Sequence, residues 1–224
     1  MKTTIILVAL VILTTTSSAS AAPITVPTDL NVGDSYRLAF VTSTTRTATS
    51  SNIANYNSFV SGVANTVTEL AALGTTWTAI GSTKDDDARD NTGTNPNVST
   101  GVPVYILDDR RIANDNAELW DCCLLSNYSL ITQEDGTFRE VTVWTGTMRG
   151  GTHWPGNSLG DDLPFFGLST TGSSSWLTGG RYLPNTRRKA LYAMSGQLTV
   201  VPEPTTYTLA LAALCLAMSR RRSH

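Results

Sequence analysis

Cysteine is scarce in this sequence of 224 residues, which contains only three. Cys122 and Cys123 are adjacent, and Cys215 lies in an apolar segment close to the C-terminus. Two neighbouring cysteines cannot close a long loop, so a folded domain must be stabilised by apolar packing rather than by a disulfide framework. The adjacent pair can form a vicinal disulfide in an oxidising compartment, remain reduced and partly buried, or link to another molecule. The sequence leaves these alternatives open.

Histidine is scarcer still, with two residues, of which His153 alone lies outside the extreme C-terminus. A histidine-based hydrolase would therefore depend on this one side chain, and no His-x-x-x-His zinc pair is present. Acidic residues are common, but none are distinguished as the carboxylate pair of a glycosidase. We therefore expect no enzymatic activity and no cofactor, and we interpret His153 as an ordinary loop residue.

Positive charge is in short supply in the central part of the chain. Residues 22–201 contain 12 basic and 17 acidic side chains, which gives this stretch a net charge of −5. Such a balance argues against a nucleic-acid partner, because Lys and Arg are needed to displace the counterions of the phosphates. The length of the stretch fits one domain with a sizeable core.

The N-terminus has the features of an export signal. Lys2 precedes an apolar run over residues 5–13, and a short polar stretch then ends in Ala19-Ser20-Ala21. An apolar core of this length followed by an A-x-A site is the pattern that signal peptidase cleaves. We therefore predict a signal peptide over residues 1–22 and export of the remainder.

The C-terminus combines three features in order. Pro202-Glu203-Pro204 is followed by an uncharged segment over residues 207–218 and then by Arg220, Arg221 and Arg222. The prolines end the folded domain, and the arginines keep the last residues cytoplasmic by the positive-inside bias. A helix over residues 205–218 would cover about 21 Å of a hydrocarbon core of roughly 30 Å, so it is a weak membrane anchor.

Pro-Glu-Pro, a short apolar helix and a terminal Arg cluster resemble the PEP-CTERM sorting signal, here over residues 201–224. The resemblance implies cleavage by an exosortase in a Gram-negative bacterium that makes extracellular polysaccharide. It also implies transient anchoring in the inner membrane and a final location at the cell surface or in the extracellular matrix. The alternative is a plain C-terminal membrane anchor, which would leave the topology unchanged.

The central residues 23–200 alternate strand-like and helical patterns, which predicts a single α+β domain. The first and last strands are expected to be neighbours. The predicted elements are a strand at 35–42, a helix at 53–67 capped by Ser50-Ser51, a strand at 75–80, a loop at 85–94, a hairpin of 103–107 with 110–113, a short helix near 116–122, a strand at 140–145, an irregular Gly-rich stretch at 146–188 and a closing strand at 191–201.

The motif order resembles the C-type-lectin-like domains of bacterial surface proteins, a group related to the endostatin fold. The elements that carry the resemblance are Phe40-Val41-Thr42-Ser43, Trp77 to Ser82, Ala88-Arg89-Asp90, Val104 to Asp108, Ile112-Ala113-Asn114, Leu119-Trp120-Asp121, Trp144-Thr145-Gly146-Thr147 (after Val143) and Leu191-Tyr192-Ala193. The resemblance implies adjacent terminal strands and a long ligand-binding loop region. The Glu-Pro-Asn or Gln-Pro-Asp and Trp-Asn-Asp motifs of calcium-dependent sugar binders are absent from residues 23–200. Calcium-dependent sugar binding is therefore not carried over.

The densest acidic segment is a candidate calcium site. It consists of Asp85, Asp86, Asp87, Asp90 and Asn91, whose oxygens are of the type that calcium prefers. The spacing lacks the alternation of an EF-hand loop. The favoured alternative is a solvated turn in which Arg89 pairs with a neighbouring aspartate.

The Gly-rich stretch supplies candidates for glycan binding. Trp154 and Trp176 are expected to be exposed and to stack on sugar rings, while Asn157, Asp161 and Asp162 can bond sugar hydroxyls. The alternative is that aromatic residues in such a loop complete a core beneath it. We therefore expect an exported surface protein that binds glycan, such as extracellular polysaccharide, or another surface component. The alternatives are a structural biofilm or coat component without a specific ligand and, least favoured, a hydrolase of extracellular polymer.

Overall fold

The computed structural model describes residues 22–127 and 129–202. The predicted signal peptide and nearly all of the predicted sorting signal lie outside these residues. Within the described ranges, no helix has the length and apolar character needed to cross a bilayer.

The described chain is an α+β fold in which strands outnumber helices, as the sequence predicts. The strands are β1 Ser35–Val41, β2 Trp77–Ala79, β3 Val104–Ile106, β4 Arg111–Ala113, β5 Thr142–Trp144, β6 Phe166–Leu168, β7 Tyr192–Ser195 and β8 Leu198–Thr199. The helices are α1 Ile53–Ala64, α2 Thr68–Ala72, α3 Ala88–Asn91, α4 Asn116–Asp121 and α5 Ser175–Thr178, with a 3-10 turn at Leu125–Asn127.

Strand β1 is the centre of a six-stranded sheet with the order β2-β7-β1-β3-β4, and β8 also pairs with β1. It runs antiparallel to β7, with Phe40 opposite Ala193, and parallel to β3, with Leu38 opposite Tyr105. The predicted adjacency of the first and last strands is therefore confirmed. Residues 38–41 are fully buried, because both faces of this strand are covered.

The closing strand is divided into two short strands. Gly196 and Gln197 separate β7 from β8, and both strands return to β1. The hairpin predicted around Asp108 and Asp109 is confirmed, since β3 and β4 pair antiparallel on either side of these residues. Asp109 has a positive φ of 75°, a conformation that aspartate tolerates in tight turns.

Helix α1 covers one face of the sheet. Its buried side includes Ile53, Tyr56 and Val60, which recur at spacings of three and four, as the sequence predicts. Burying an aliphatic side chain of this size contributes about 1.5–3 kcal/mol to stability. The cap differs from the prediction, because Asn52 rather than Ser50-Ser51 accepts a hydrogen bond from the Ala54 N–H at 2.9 Å.

Two apolar clusters form the core, one on each face of the sheet. Alternate residues of β1 divide between them: Leu38 and Phe40 join the cluster of α1, whereas Ala39 and Val41 join the cluster that contains Leu119 and Trp120 of α4. Helix α4 lies where a short helix is predicted. Helix α3 is a correction, since it occupies part of residues 85–94, which the sequence predicts to be a loop.

The Gly-rich stretch contains more order than the sequence indicates. Strand β6 pairs antiparallel with β5, so that Trp144 lies opposite Phe166, and helix α5 packs against β6. Cys122 and Cys123 are joined by a disulfide in the structure, which is one of the alternatives left open by the sequence.

Candidate functional site

The segment Trp144-Thr145-Gly146-Thr147, which begins at the last residue of β5, supports the Gly-rich loop. Trp144 is fully buried, and its Nε1 donates to the Arg187 carbonyl at 3.0 Å. The Thr145 hydroxyl donates to the Leu177 carbonyl at 2.7 Å. Gly146 has a φ of 58°, and a Cβ there would lie 2.4 Å from the Leu159 backbone nitrogen. This segment therefore serves the packing of the loop and is not itself exposed to a ligand.

The loop after Gly146 folds back as a tight hairpin. Thr147 pairs with His153, and the Met148 N–H donates to the Thr152 carbonyl at 2.8 Å. At its tip, Gly151 packs so closely that a Cβ would lie 2.7 Å from the ring of Trp120. Packing of this kind holds the residues that follow the hairpin in a defined position.

His153 joins the Gly-rich loop to the acidic segment. Asp87 Oδ1 accepts hydrogen bonds from the His153 backbone N–H and from its Nδ1, each at 2.8 Å. Arg89 Nη2 lies 3.8 Å from Asp87 Oδ2. Sequence reasoning missed this contact because the two residues are 66 positions apart, and nothing in a single sequence pairs them. Arg89 does pair with a neighbouring aspartate, as the solvated-turn interpretation expects.

A second feature that sequence reasoning missed is the run Gly156-Asn157-Ser158-Leu159-Gly160, which has the Gly-x-Ser-x-Gly spacing of a hydrolase nucleophile elbow. Such an elbow exposes its serine at a turn between a strand and a helix. Here Ser158 is fully buried, and its hydroxyl donates to the Trp154 carbonyl at 3.2 Å. The run lies between the hairpin and β6 without a following helix, so it is part of a packed loop.

The turn from Trp154 to Asn157 forms an exposed aromatic surface. The Trp154 side chain is 46% exposed, which confirms the expectation for this residue, and Tyr182 is 73% exposed. Asn157 and Arg181 link the two residues: the Asn157 N–H donates to the Trp154 carbonyl at 2.9 Å, Arg181 Nη1 is 3.4 Å from Asn157 Oδ1, and Arg181 precedes Tyr182 in the chain. We call Trp154, Asn157, Arg181 and Tyr182 the aromatic surface.

A hydrogen bond to the neighbouring loop and a ring contact with β6 fix two side chains of the aromatic surface. Asn157 Nδ2 donates to the Leu163 carbonyl at 2.7 Å, and the ring of Tyr182 meets that of Phe166 edge-on at 5.3 Å between centroids. Tyr182 therefore packs on the buried Phe166 of β6, and Asn157 is fixed to the backbone of the loop that precedes β6. Flat rings on a fixed support are suited to stacking on sugar rings, because little conformational entropy is lost when they bind.

The expectation that Trp176 is exposed is wrong. Trp176 is fully buried in helix α5, where its ring stacks on Trp120 at 6.1 Å and tilts against Tyr192 at 5.8 Å. A sugar cannot reach it in this position. The Ser- and Gly-rich flanks suggested a loop, but the apolar pair Trp176-Leu177 turns inward and completes the core.

The two aspartates proposed to bond sugar hydroxyls have different surroundings. Asp161 Oδ2 accepts a hydrogen bond from the Ser158 N–H at 2.7 Å, so this carboxylate stabilises the turn in which it lies. Asp162 is exposed, and its backbone carbonyl accepts from the Asn185 N–H at 2.9 Å. The Asp162 carboxylate remains the more available of the two.

The acidic segment is spread over several local networks. Each proposed calcium ligand has a polar partner: Lys84 for Asp85, Thr83 for Asp86, His153 for Asp87, Asn95 for Asp90 and Asn57 for Asn91. Across residues 22–127 and 129–202, no three His, Cys, Asp or Glu side chains are grouped as metal ligands. A calcium site in this segment stays a prediction.

Comparisons with known proteins give no family for this chain. A scan against models of protein families finds no match, and a search of curated proteins finds no similar sequence. The contacts described above and the patterns at the two ends of the sequence are therefore the basis on which a function is inferred.

Proposed function

We propose that this chain is an exported surface protein whose ectodomain binds a glycan through the aromatic surface. The observation that carries the proposal is the pair of exposed aromatic residues, Trp154 and Tyr182, linked through Asn157 and Arg181. Rings supply apolar contact with the faces of sugars, and the amide and guanidinium groups can bond hydroxyls.

The domain that presents this surface is proposed to be C-type-lectin-like. The neighbouring terminal strands and the long loop region between β5 and β7 support this assignment. Glycan binding by the aromatic surface does not depend on a bound metal. The hydrogen bonds of Trp154 and Asn157 described above involve none of the proposed calcium ligands.

The two ends of the chain are proposed to direct export and sorting. A signal peptidase removes residues 1–22. An exosortase recognises Pro202-Glu203-Pro204 and cleaves the tail after the apolar helix and Arg220, Arg221 and Arg222 have held it in the inner membrane. The protein then passes to the cell surface or the extracellular matrix. Replacing Pro202-Glu203-Pro204 by alanines should leave the protein exported but retained with its tail uncut. Tryptic peptides from residues 207–220 in the surface-released protein, detected by mass spectrometry, would instead identify a plain anchor.

The glycan-binding proposal is tested with the full chain in a neutral detergent on a glycan array, with and without calcium. Trp154→Ala should reduce the signal by up to about tenfold, because a stacked ring contributes roughly 0.5–1.5 kcal/mol beyond its buried area. Phe138→Ala is the matched control, since Phe138 is 62% exposed and lies outside the aromatic surface. No binding by the unmodified protein would favour a structural coat component.

The contact between His153 and Asp87 favours a hydrolase as the second candidate. An aspartate that accepts from Nδ1 orients a histidine as a general base. Within the described residues, however, no Ser, Thr or Cys side chain hydrogen-bonds to the His153 ring, and the nearby Ser158 hydroxyl is bonded to Trp154. Polymer hydrolysis that disappears in His153→Ala, but not in Phe138→Ala, would support this alternative.

A further inference from the structure

Four basic side chains gather where the segment that follows β1 meets the segment that precedes β7. Arg46 and Lys189 are directly opposite each other and exchange both backbone hydrogen bonds at 2.9 Å. Arg187 and Arg188 precede Lys189 and are exposed, and Arg188 Nη2 donates to the Thr45 carbonyl. We call Arg46, Arg187, Arg188 and Lys189 the cationic patch.

The cationic patch lacks counter-charges of its own. None of its four members forms an ion pair with an acidic side chain of residues 22–127 or 129–202. Glu134 is close to Ser43, but this carboxylate is buried and accepts from the Ser43 N–H and hydroxyl. Like charges directly opposite each other in a strand pair destabilise it, so the arrangement favours an external anion.

Lys189 is the member for which the missing counter-charge matters most. It is only 8% exposed, and its Nζ donates to the Thr142 hydroxyl at 2.6 Å beside the rings of Trp144 and Phe166. Burial, together with the positive charge of Arg187, lowers the pKa of Lys189. Burial and then the charge of Arg188 lower the pKa of Arg46 in the same way. An anion at the surface would relieve this repulsion.

The segment that carries the patch also carries part of the aromatic surface. Arg181 and Tyr182 lie at its start, and Asn185 bonds the carbonyls of Asp161 and Asp162 on the way to Arg187. The residues from Tyr182 to Arg187 span at most about 18 Å, the reach of five residues of extended chain. A single short stretch of polymer can therefore contact both surfaces.

The cationic patch and the last described residues of the chain lie at opposite ends of β1. The Val200 N–H bonds the Asp34 carbonyl beside the first residue of β1, whereas Arg46 lies beyond its last residue. A strand of this length covers about 20 Å. The last described residues therefore lie at the end of β1 opposite the patch, which favours a soluble polymer over a lipid surface as the partner.

We propose that the glycan bound by this chain is a carboxylated polysaccharide, whose acidic groups contact the exposed Arg187 and Arg188 of the cationic patch while its sugar rings stack on the aromatic surface. This inference rests on the proposed glycan binding and specifies the class of ligand. A polymer with repeated carboxylates can contact several cations at once, and this multivalency raises its affinity above that of a single carboxylate. Such binding weakens as salt increases, because the exposed charges are screened.

The test measures binding of the full chain, in a neutral detergent at low salt, to polygalacturonate, to alginate and to fully methyl-esterified polygalacturonate. The esterified polymer keeps the sugar rings but has no charge. We expect the acidic polymers to bind about tenfold more tightly than the ester. Arg187→Gln with Arg188→Gln should remove most of that difference, since each lost charge contact weakens affinity a few-fold. Arg187→Lys with Arg188→Lys should preserve it.

The matched control is Lys84→Gln with Arg149→Gln, which removes two exposed cations elsewhere on the molecule. Equal loss in both double variants would overturn the proposal, as would failure of the acidic polymers to bind. Tighter binding to anionic vesicles than to any polymer would also overturn it. If the ester and the acidic polymers bind equally and Trp154→Ala abolishes both, the assignment of a carboxylated ligand fails while glycan binding stands.

Discussion

At the scale of single residues, two buried tyrosines illustrate how much a hydroxyl depends on its partners. The Tyr56 hydroxyl donates to the Ser50 carbonyl at 2.7 Å and accepts from the Ser50 N–H at 3.1 Å. The Tyr192 hydroxyl is buried without a hydrogen-bond partner among the described residues. The two rings are equally buried, so the hydroxyl environment is the main difference between them.

Tyr56→Phe and Tyr192→Phe should therefore have opposite effects on stability. Tyr56→Phe leaves two backbone groups of Ser50 unsatisfied and should cost about 1–3 kcal/mol of the free energy of unfolding. Tyr192→Phe removes a hydroxyl that is desolvated without compensation, so it should be neutral or stabilising. Urea denaturation of both variants is the measurement. An equal loss in both would show that the Tyr192 hydroxyl has a partner in solution.

Gly146 provides a second residue-scale prediction, at the base of the Gly-rich loop. Gly146→Ala should destabilise the protein by about 2 kcal/mol more than Gly150→Ala, because a forced close contact in a packed interior costs about 1–3 kcal/mol. Both glycines have a positive φ, but a Cβ at Gly150 meets nothing within 4 Å. Gly150→Ala thus controls for backbone strain alone. Similar melting temperatures for the two variants would contradict this account.

At the scale of elements, the sequence predicts those whose pattern is local. The spacing of apolar residues predicts α1, and Asp108-Asp109 between apolar runs predicts the β3–β4 hairpin. Helix α3 is too short to have a period, and β6 contains Gly167 and acquires its structure by pairing with β5. These elements depend on tertiary contacts, which a single sequence does not display.

Helix α4 is stabilised at its start by reciprocal contacts. Asp115 Oδ1 accepts from the Glu118 N–H at 2.8 Å, and Glu118 Oε2 accepts from the Asn114 N–H at 2.7 Å. Asp115→Ala should cost about 1 kcal/mol, the usual effect of losing an N-cap, whereas Asp115→Asn keeps the acceptor and should cost less. Thermal unfolding of the two variants provides the comparison. A larger loss for asparagine than for alanine would refute the capping role.

At the scale of the whole molecule, the sequence predicts Trp154 and Asn157 as members of the candidate site, but not Arg181, Tyr182 or the contacts that join them. Trp154 follows a histidine and precedes Pro155 and Gly156, so its exposure is indicated by turn-forming neighbours. Trp176 has similar small, polar neighbours and is nevertheless buried, because α5 turns its ring toward Trp120. Composition alone does not distinguish these two tryptophans.

Buried tyrosine hydroxyls make the free energy of unfolding depend on pH in the alkaline range. Burial raises the pKa of Tyr56 to about 12, and burial followed by the hydrogen bond to Asp29 raises the pKa of Tyr105 to about 12. An unfolded chain loses these protons near pH 10.0, so the stabilisation is complete below that value and is lost as the pH rises toward 12. We expect the free energy of unfolding to fall over this interval, together with the appearance of tyrosinate absorbance. Ionisation of Tyr56 or Tyr105 before unfolding, measured as the difference in tyrosinate absorbance between the unmodified protein and the Tyr56→Phe or Tyr105→Phe variant, would contradict the prediction.

Calcium should have little effect on the stability of the whole domain. The acidic segment already has internal partners, so we expect the melting temperature to be unchanged by millimolar calcium or EDTA. A ligand that binds only the folded state must raise this temperature. A rise with calcium that Asp90→Asn abolishes, while Asp135→Asn does not, would locate a calcium site in the acidic segment after all.

The pairing of β1 determines when the chain can complete its fold. Two of the three strands that bond β1, namely β7 and β8, belong to the last part of the described chain, more than 150 residues later. When the chain emerges with its N-terminus first, β1 is therefore exposed long before β7 and β8 are available to pair with it. Contacts of such long range slow folding, because a large loop must be closed first. The sheet around β1 therefore cannot be completed until residue 199 has emerged.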